Sequence, residues 1–146
     1  MNTDHSALSN MITALIDGRA FYQDAATKVA REDLKRLFER MAKNKTAIVN
    51  DMQNTVVFTG AEPSDEGSFA GTLRKAYAGA LARLSPDKEA TYVAELGAFE
   101  DRILDSFRAA IEASADPAVR AIAQKHMPEV TRDHSEMRAL KQNLRH

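Results

Sequence analysis

Four separate stretches of this chain carry mostly apolar residues at steps of three or four, and nothing else in the sequence constrains the fold as tightly. The first is Leu8, Ile12, Leu15, Arg19, Tyr22, Ala26 and Val29. The second is Leu34, Phe38, Met41, Lys45, Ile48, Met52 and Val56, with Leu37 beside it. Tyr92, Leu96, Phe99, Ile103, Phe107 and Ala110 or Ile111 make the third. The fourth is Val119, Ile122, His126, Val130, Asp133, Met137, Leu140 and Leu144. That spacing puts each set on one face of an α-helix. A one-sided apolar stripe has to be buried against another element, so four of them predict an all-α bundle.

Helix punctuation agrees. Thr3, Asp4 and Ser6 can cap the first helix, and the second starts near Arg31–Asp33 and ends by Gly60, with Pro63 beyond. Ser85 followed by Pro86, and Asp116 followed by Pro117, read as a cap and a first helical position for the third and fourth. Gly18 falls inside the first helix, where it costs about 1 kcal/mol relative to Ala, so a close helix neighbour is expected there. Pro128 falls inside the fourth and predicts a bend near Gln124–Met127.

Connection lengths set the expected topology. Helices one and two are joined tightly, as are helices three and four, so each pair packs antiparallel. Between helices two and three lies a long connection, with loop composition over Ala61–Ser68 and then a shorter helix carrying Phe69, Leu73, Tyr77, Leu81 and Leu84. It is long enough to travel back along a bundle of about 39 Å. The expectation is a ferritin-like four-helix bundle with a long crossover, containing a short helix, between helices two and three.

Composition narrows the function. The length of 146 residues fits a single domain over residues 1–146. With 20 Lys plus Arg against 21 Asp plus Glu, no bulk charge favours nucleic acid or an anionic membrane. There is no Cys, which removes disulfides, thiolate metal sites and cysteine nucleophiles. The N-terminus lacks the pattern of a secretory signal, and no apolar run reaches membrane-spanning length, so a cytoplasmic protein is expected.

A ferritin-like bundle raises the question of metals. A di-iron site takes a Glu from each of two helices and a Glu-x-x-His pair from each of the other two. Three residues after Glu39 stands Ala42, and three after Glu129 stands Arg132, so the full set is absent. A partial iron or manganese site could draw on Glu100, His126, Glu129 and Asp133. Against it, Arg19 and Lys45 also fall on inward stripes, which favours an ion-pair layer with Glu100 and Asp133 over a metal site.

Other chemistries have weaker signals. His134–Ser135 lacks a third group or a nucleophile elbow. Gly67 and Gly71 lack the Lys-Ser/Thr ending of a phosphate loop. Arg36, Arg40 and Lys43 lie among acidic neighbours as a solvated face. Tyr22, Tyr77, Tyr92 and the methionines read as core.

The strings LIDGRAFYQDAA, FAGTLRKAYAGALARL, AFEDRILDSFRAAI and DHSEMRALKQ resemble a bacterial family of ferritin-like four-helix-bundle domains of unknown function. The likeness runs from about Leu8 to Leu144 and rests on Asp17–Gly18, Gly71, Glu100–Asp101 and the His134/Arg138 combination. It implies a fold and no reaction, and Asp17, Glu100 and His134 match its pattern without an assigned role. Pro128 departs from that pattern. The expected function is a non-enzymatic structural, interaction or stress-related protein, with no cofactor, self-associating or binding a protein partner. The alternative is an iron- or manganese-binding protein with oxidase or storage activity.

Overall fold

A computed structural model describes residues 3–58 and 87–144. Four helices make up the described residues, and we label them α1 (Thr3–Lys28), α2 (Glu32–Phe58), α3 (Lys88–Ala113) and α4 (Pro117–Leu144). The expected short helix around Phe69–Leu84 lies outside them. No described helix is long and apolar enough to cross a membrane.

The stripes fold inward as spaced. Leu8, Ile12, Leu15, Tyr22, Ala26 and Val29 of α1 are buried, and so are Leu34, Phe38, Met41, Lys45, Ile48 and Met52 of α2. Tyr92 through Ala110 of α3 and Val119, Ile122, Val130, Asp133 and Met137 of α4 complete the interior. Gly18 meets a close neighbour: a Cβ built there would stand 3.0 Å from Ile103 Cδ1 of α3.

Capping differs in one place. The cap of α3 is Asp87, whose carboxylate accepts from Ala90 N at 3.0 Å, while Ser85 and Pro86 lie outside the described residues. A carboxylate at the positive end of the helix satisfies a free amide at least as well as a hydroxyl. At α4, Asp116 caps as its sequence suggests, accepting from Ala118 N at 2.9 Å, and the helix continues through Pro128. Glu89, in the first turn of α3, accepts from the amides of Ala30 and Arg31 at 3.2 and 3.1 Å. It ties the α1–α2 turn to the start of α3.

Cross-helix contacts fix the directions. Asp17 meets Arg102 and Phe21 meets Phe99, so α1 and α3 are antiparallel. Arg40 meets Glu136 and Asp51 meets His126, so α2 and α4 are antiparallel. The tight turns make α1–α2 and α3–α4 antiparallel as well, and α2 and α3 therefore point the same way. The backbones pack closely along α1–α2, α1–α3 and α3–α4, whereas α2 and α4 approach at few points and are bridged by long polar side chains.

The core has two ends. One holds Leu8, Met11, Leu15, Ile48, Val49, Met52, Ile103, Phe107, Ile122 and Val130 with their neighbours, and is mostly aliphatic. The other gathers the rings of Phe21, Tyr22, Phe38, Tyr92 and Phe99 among aliphatic residues such as Val29, Leu34, Leu96 and Met137, and is the aromatic-rich end. Phe21 packs edge-on against Tyr92 at 6.0 Å between ring centres and tilted against Phe99 at 4.9 Å.

Candidate functional site: a buried ion-paired layer

Between the two ends, every helix contributes a buried polar residue, and those of α2, α3 and α4 meet. These are Asp17 of α1, Lys45 of α2, Glu100 of α3 and Asp133 of α4. Lys45 and Asp133 sit inside their helical stripes and Asp17 and Glu100 flank theirs, so the packing that buries the apolar residues buries these too.

The centre of the layer is Lys45. Its Nζ stands 2.7 Å from Glu100 Oε2 and 2.8 Å from Asp133 Oδ2, and its side chain is 1% exposed. The ammonium also lies 5.4 Å from the centre of the Tyr22 ring, whose negative face favours it. Tyr22 donates its hydroxyl to the same Glu100 oxygen that Lys45 holds. Glu100 Oε1 is buried with no hydrogen-bond partner among the described residues. Asn44 extends the network, donating to Asp133 Oδ1 and Glu129 Oε2 at 3.4 Å each.

Burial governs the titration. It pushes the Glu100 carboxyl above the ordinary range, against the downward pull of Lys45 and Tyr22. Burial, followed by the nearby Glu100 charge, pushes the Tyr22 hydroxyl well above its usual value. Glu129 is raised as well, chiefly by the hydrogen bond it shares with the Asp133 carboxyl one turn away.

The four residues set out as a possible metal set do not converge. Glu100 and Asp133 do meet, but around Lys45. His126 turns to Asp51, with Nε2 to Oδ2 at 2.6 Å, and Lys125 reaches the same oxygen at 2.9 Å. Glu129 is held by Arg132 at 3.0 Å. Among the described residues no three His, Asp or Glu side chains are grouped to hold a metal ion. A cation already fills the point where the two carboxylates meet, and a second positive charge about 4 Å away would cost about 4 kcal/mol per unit charge at an effective dielectric of 20.

Lys45 pairs with Glu100 and Asp133 as its stripe position suggests, but Arg19 does not join it. Arg19 is half-buried and forms no ion pair with the described residues. Two polar pairs escape a reading of stripes alone. One is Asp17 with Arg102, 2.7 Å apart, and the other is Asp51 with His126 and Lys125. Asp17 flanks the first stripe next to Gly18, and the glycine is the signal that a neighbouring helix comes close there.

An all-α four-helix arrangement with a charged interior is the class these observations define. Residues 4–113 match the model of the family described as Domain of unknown function (DUF2383), and the chain belongs to that family. The matched residues span α1 to α3, so Lys45 and Glu100 fall within them and Asp133 of α4 beyond them. No curated protein and no solved structure matches the chain.

Proposed function

We propose that this protein is a non-enzymatic bundle of ferritin-like topology that serves as a structural or interaction protein. In this reading an internal ion-paired layer occupies the level at which metal-binding bundles gather their ligands. The observation that carries it is the Lys45 ammonium between Glu100 and Asp133, 1% exposed. A buried layer of this kind supplies a single register rather than net stability, because each ion loses several kcal/mol of hydration when buried. The ferritin-like topology finds support in the shared direction of α2 and α3, since a connection between them has to return along the bundle axis.

The test is metal content after expression in medium supplemented with iron and manganese, measured by mass spectrometry on the gently purified chain. Wild type and a Glu100→Ala/Asp133→Ala variant are expected to carry equally little metal. Near-stoichiometric iron or manganese in wild type that vanishes in the variant would overturn the reading.

A further inference from the structure

Between α3 and α4, on the outer surface, lies a cleft of about 270 Å³ lined by Gly97, Asp101, His134, Arg138 and Lys141. His134, Arg138 and Lys141 follow at steps of four and three, so one face of α4 presents an imidazole, a guanidinium and an ammonium to the same space. Arg138 is exposed, and neither it nor Lys141 forms an ion pair with the described residues. Asp101 Oδ1 meets His134 Nε2 at 2.7 Å and fixes the ring at the rim of the cleft.

The opposite wall contains Gly97, inside α3. A glycine there weakens the helix, and packing does not call for one: a Cβ built at Gly97 would meet nothing within 4 Å. This is the reverse of Gly18, where Ile103 stands close. What the missing side chain at Gly97 does is leave the cleft open. Positive charge alone at this end of α4 would be accounted for by the helix dipole. An open wall facing that charge would not.

We propose that this cleft binds the phosphate group of a small phosphate monoester. Arg138 offers the planar fork that grips two phosphate oxygens, Lys141 a point charge, and His134 a ring nitrogen oriented by Asp101. The volume accepts the phosphate and only a short organic portion. Asp101 Oδ2, which makes no hydrogen bond with His134, is placed to accept from a hydroxyl on that portion.

The experiment titrates the full chain with glycerol 3-phosphate and, separately, with inorganic phosphate. Ionic strength is held constant with chloride, because surface charge pairs are salt-screened. The His134 imidazole resonance is followed by NMR. Saturable movement with glycerol 3-phosphate is expected, with affinity falling about tenfold or more in Arg138→Gln/Lys141→Gln. Gly97→Leu is expected to abolish binding while the melting temperature does not fall. The Arg138/Lys141 variant alters charge outside the core, at exposed Arg138 and half-buried Lys141, and keeps the test valid if Gly97→Leu perturbs the fold. No saturable movement with the ester, saturation by inorganic phosphate alone, or equal affinity in wild type and Arg138→Gln/Lys141→Gln would each overturn the proposal.

Discussion

The two ends of the core are built from different side chains, and the layer between them belongs to neither. The aliphatic end is filled by branched chains from all four helices. The aromatic end is organised around Phe21, whose ring touches both Tyr92 and Phe99. Aliphatic side chains interdigitate in many similar ways, whereas rings have preferred edge and offset geometries. Apolar packing alone would therefore leave the aliphatic half free to settle one turn up or down. The charged layer removes that freedom, because sliding any one helix by a turn would bury a carboxylate or an ammonium without its partner.

The sharpest way to break this arrangement is Lys45→Met. It leaves Glu100 and Asp133 facing each other in the interior, and the expected loss is about 3–5 kcal/mol, read by urea unfolding. Replacing the whole layer with Tyr22→Phe/Lys45→Met/Glu100→Leu/Asp133→Leu is expected to leave stability near wild type or above it. The cost should appear instead as loss of a unique register, seen as doubled or broadened amide resonances.

Titration separates the layer from the surface near the aliphatic end. Glu100 is held above the ordinary carboxyl range in the fold, so the folded state binds its proton more readily than the unfolded chain. Its contribution to stability falls as pH rises from that ordinary range through the folded value. Asp51 goes the other way. Hydrogen bonds from Lys125 and His126 hold it low, so its contribution is present above the ordinary range and is lost as pH falls through its folded value. Melting curves against pH should show Glu100→Gln gaining on wild type as pH rises. Asp51→Asn should flatten the loss of stability on the acid side.

The smallest effects compare two glycines. Gly97→Ala is expected to stabilise α3 by up to about 1 kcal/mol in thermal unfolding, since the added methyl meets open space. Gly18→Ala should yield less than Gly97→Ala, because Ile103 has to shift to admit the methyl.

How much of this was written in the sequence divides along a physical line. Periodicity reports which residues of one helix face inward, so the stripes anticipated many of the buried residues of each helix, Lys45 and Asp133 included, but not Asp17, Phe21, Val49 or Glu100 beside them. Periodicity is silent on how far one helix is slid or rotated against another. That is why Arg19 looked equivalent to Lys45, yet only Lys45 reaches the carboxylates. It is also why His126, on the fourth stripe, seemed available to Glu129 and Asp133 when Asp51 of α2 stands nearer its ring. The start of α3 slipped for a local reason. Ser85 and Asp87 are both competent caps, and Asp87 is the residue whose carboxylate meets Ala90 N.

The edge between α2 and α4 has a consequence for how the molecule breathes. Along the other three edges, backbones lie close and oily side chains mesh. Along this one, Arg40 reaches Glu136, Asn44 and Lys45 reach Asp133, and Lys125 and His126 reach Asp51. Except at the buried Asp133, these links lie within reach of dissolved ions, which weaken them while leaving mesh untouched. The bundle thus resembles a book bound at the α1–α3 spine, with a clasp of charges along the fore-edge. Amide hydrogens of α2 and α4 facing that clasp should exchange with solvent sooner in concentrated salt, while those along the spine keep their pace.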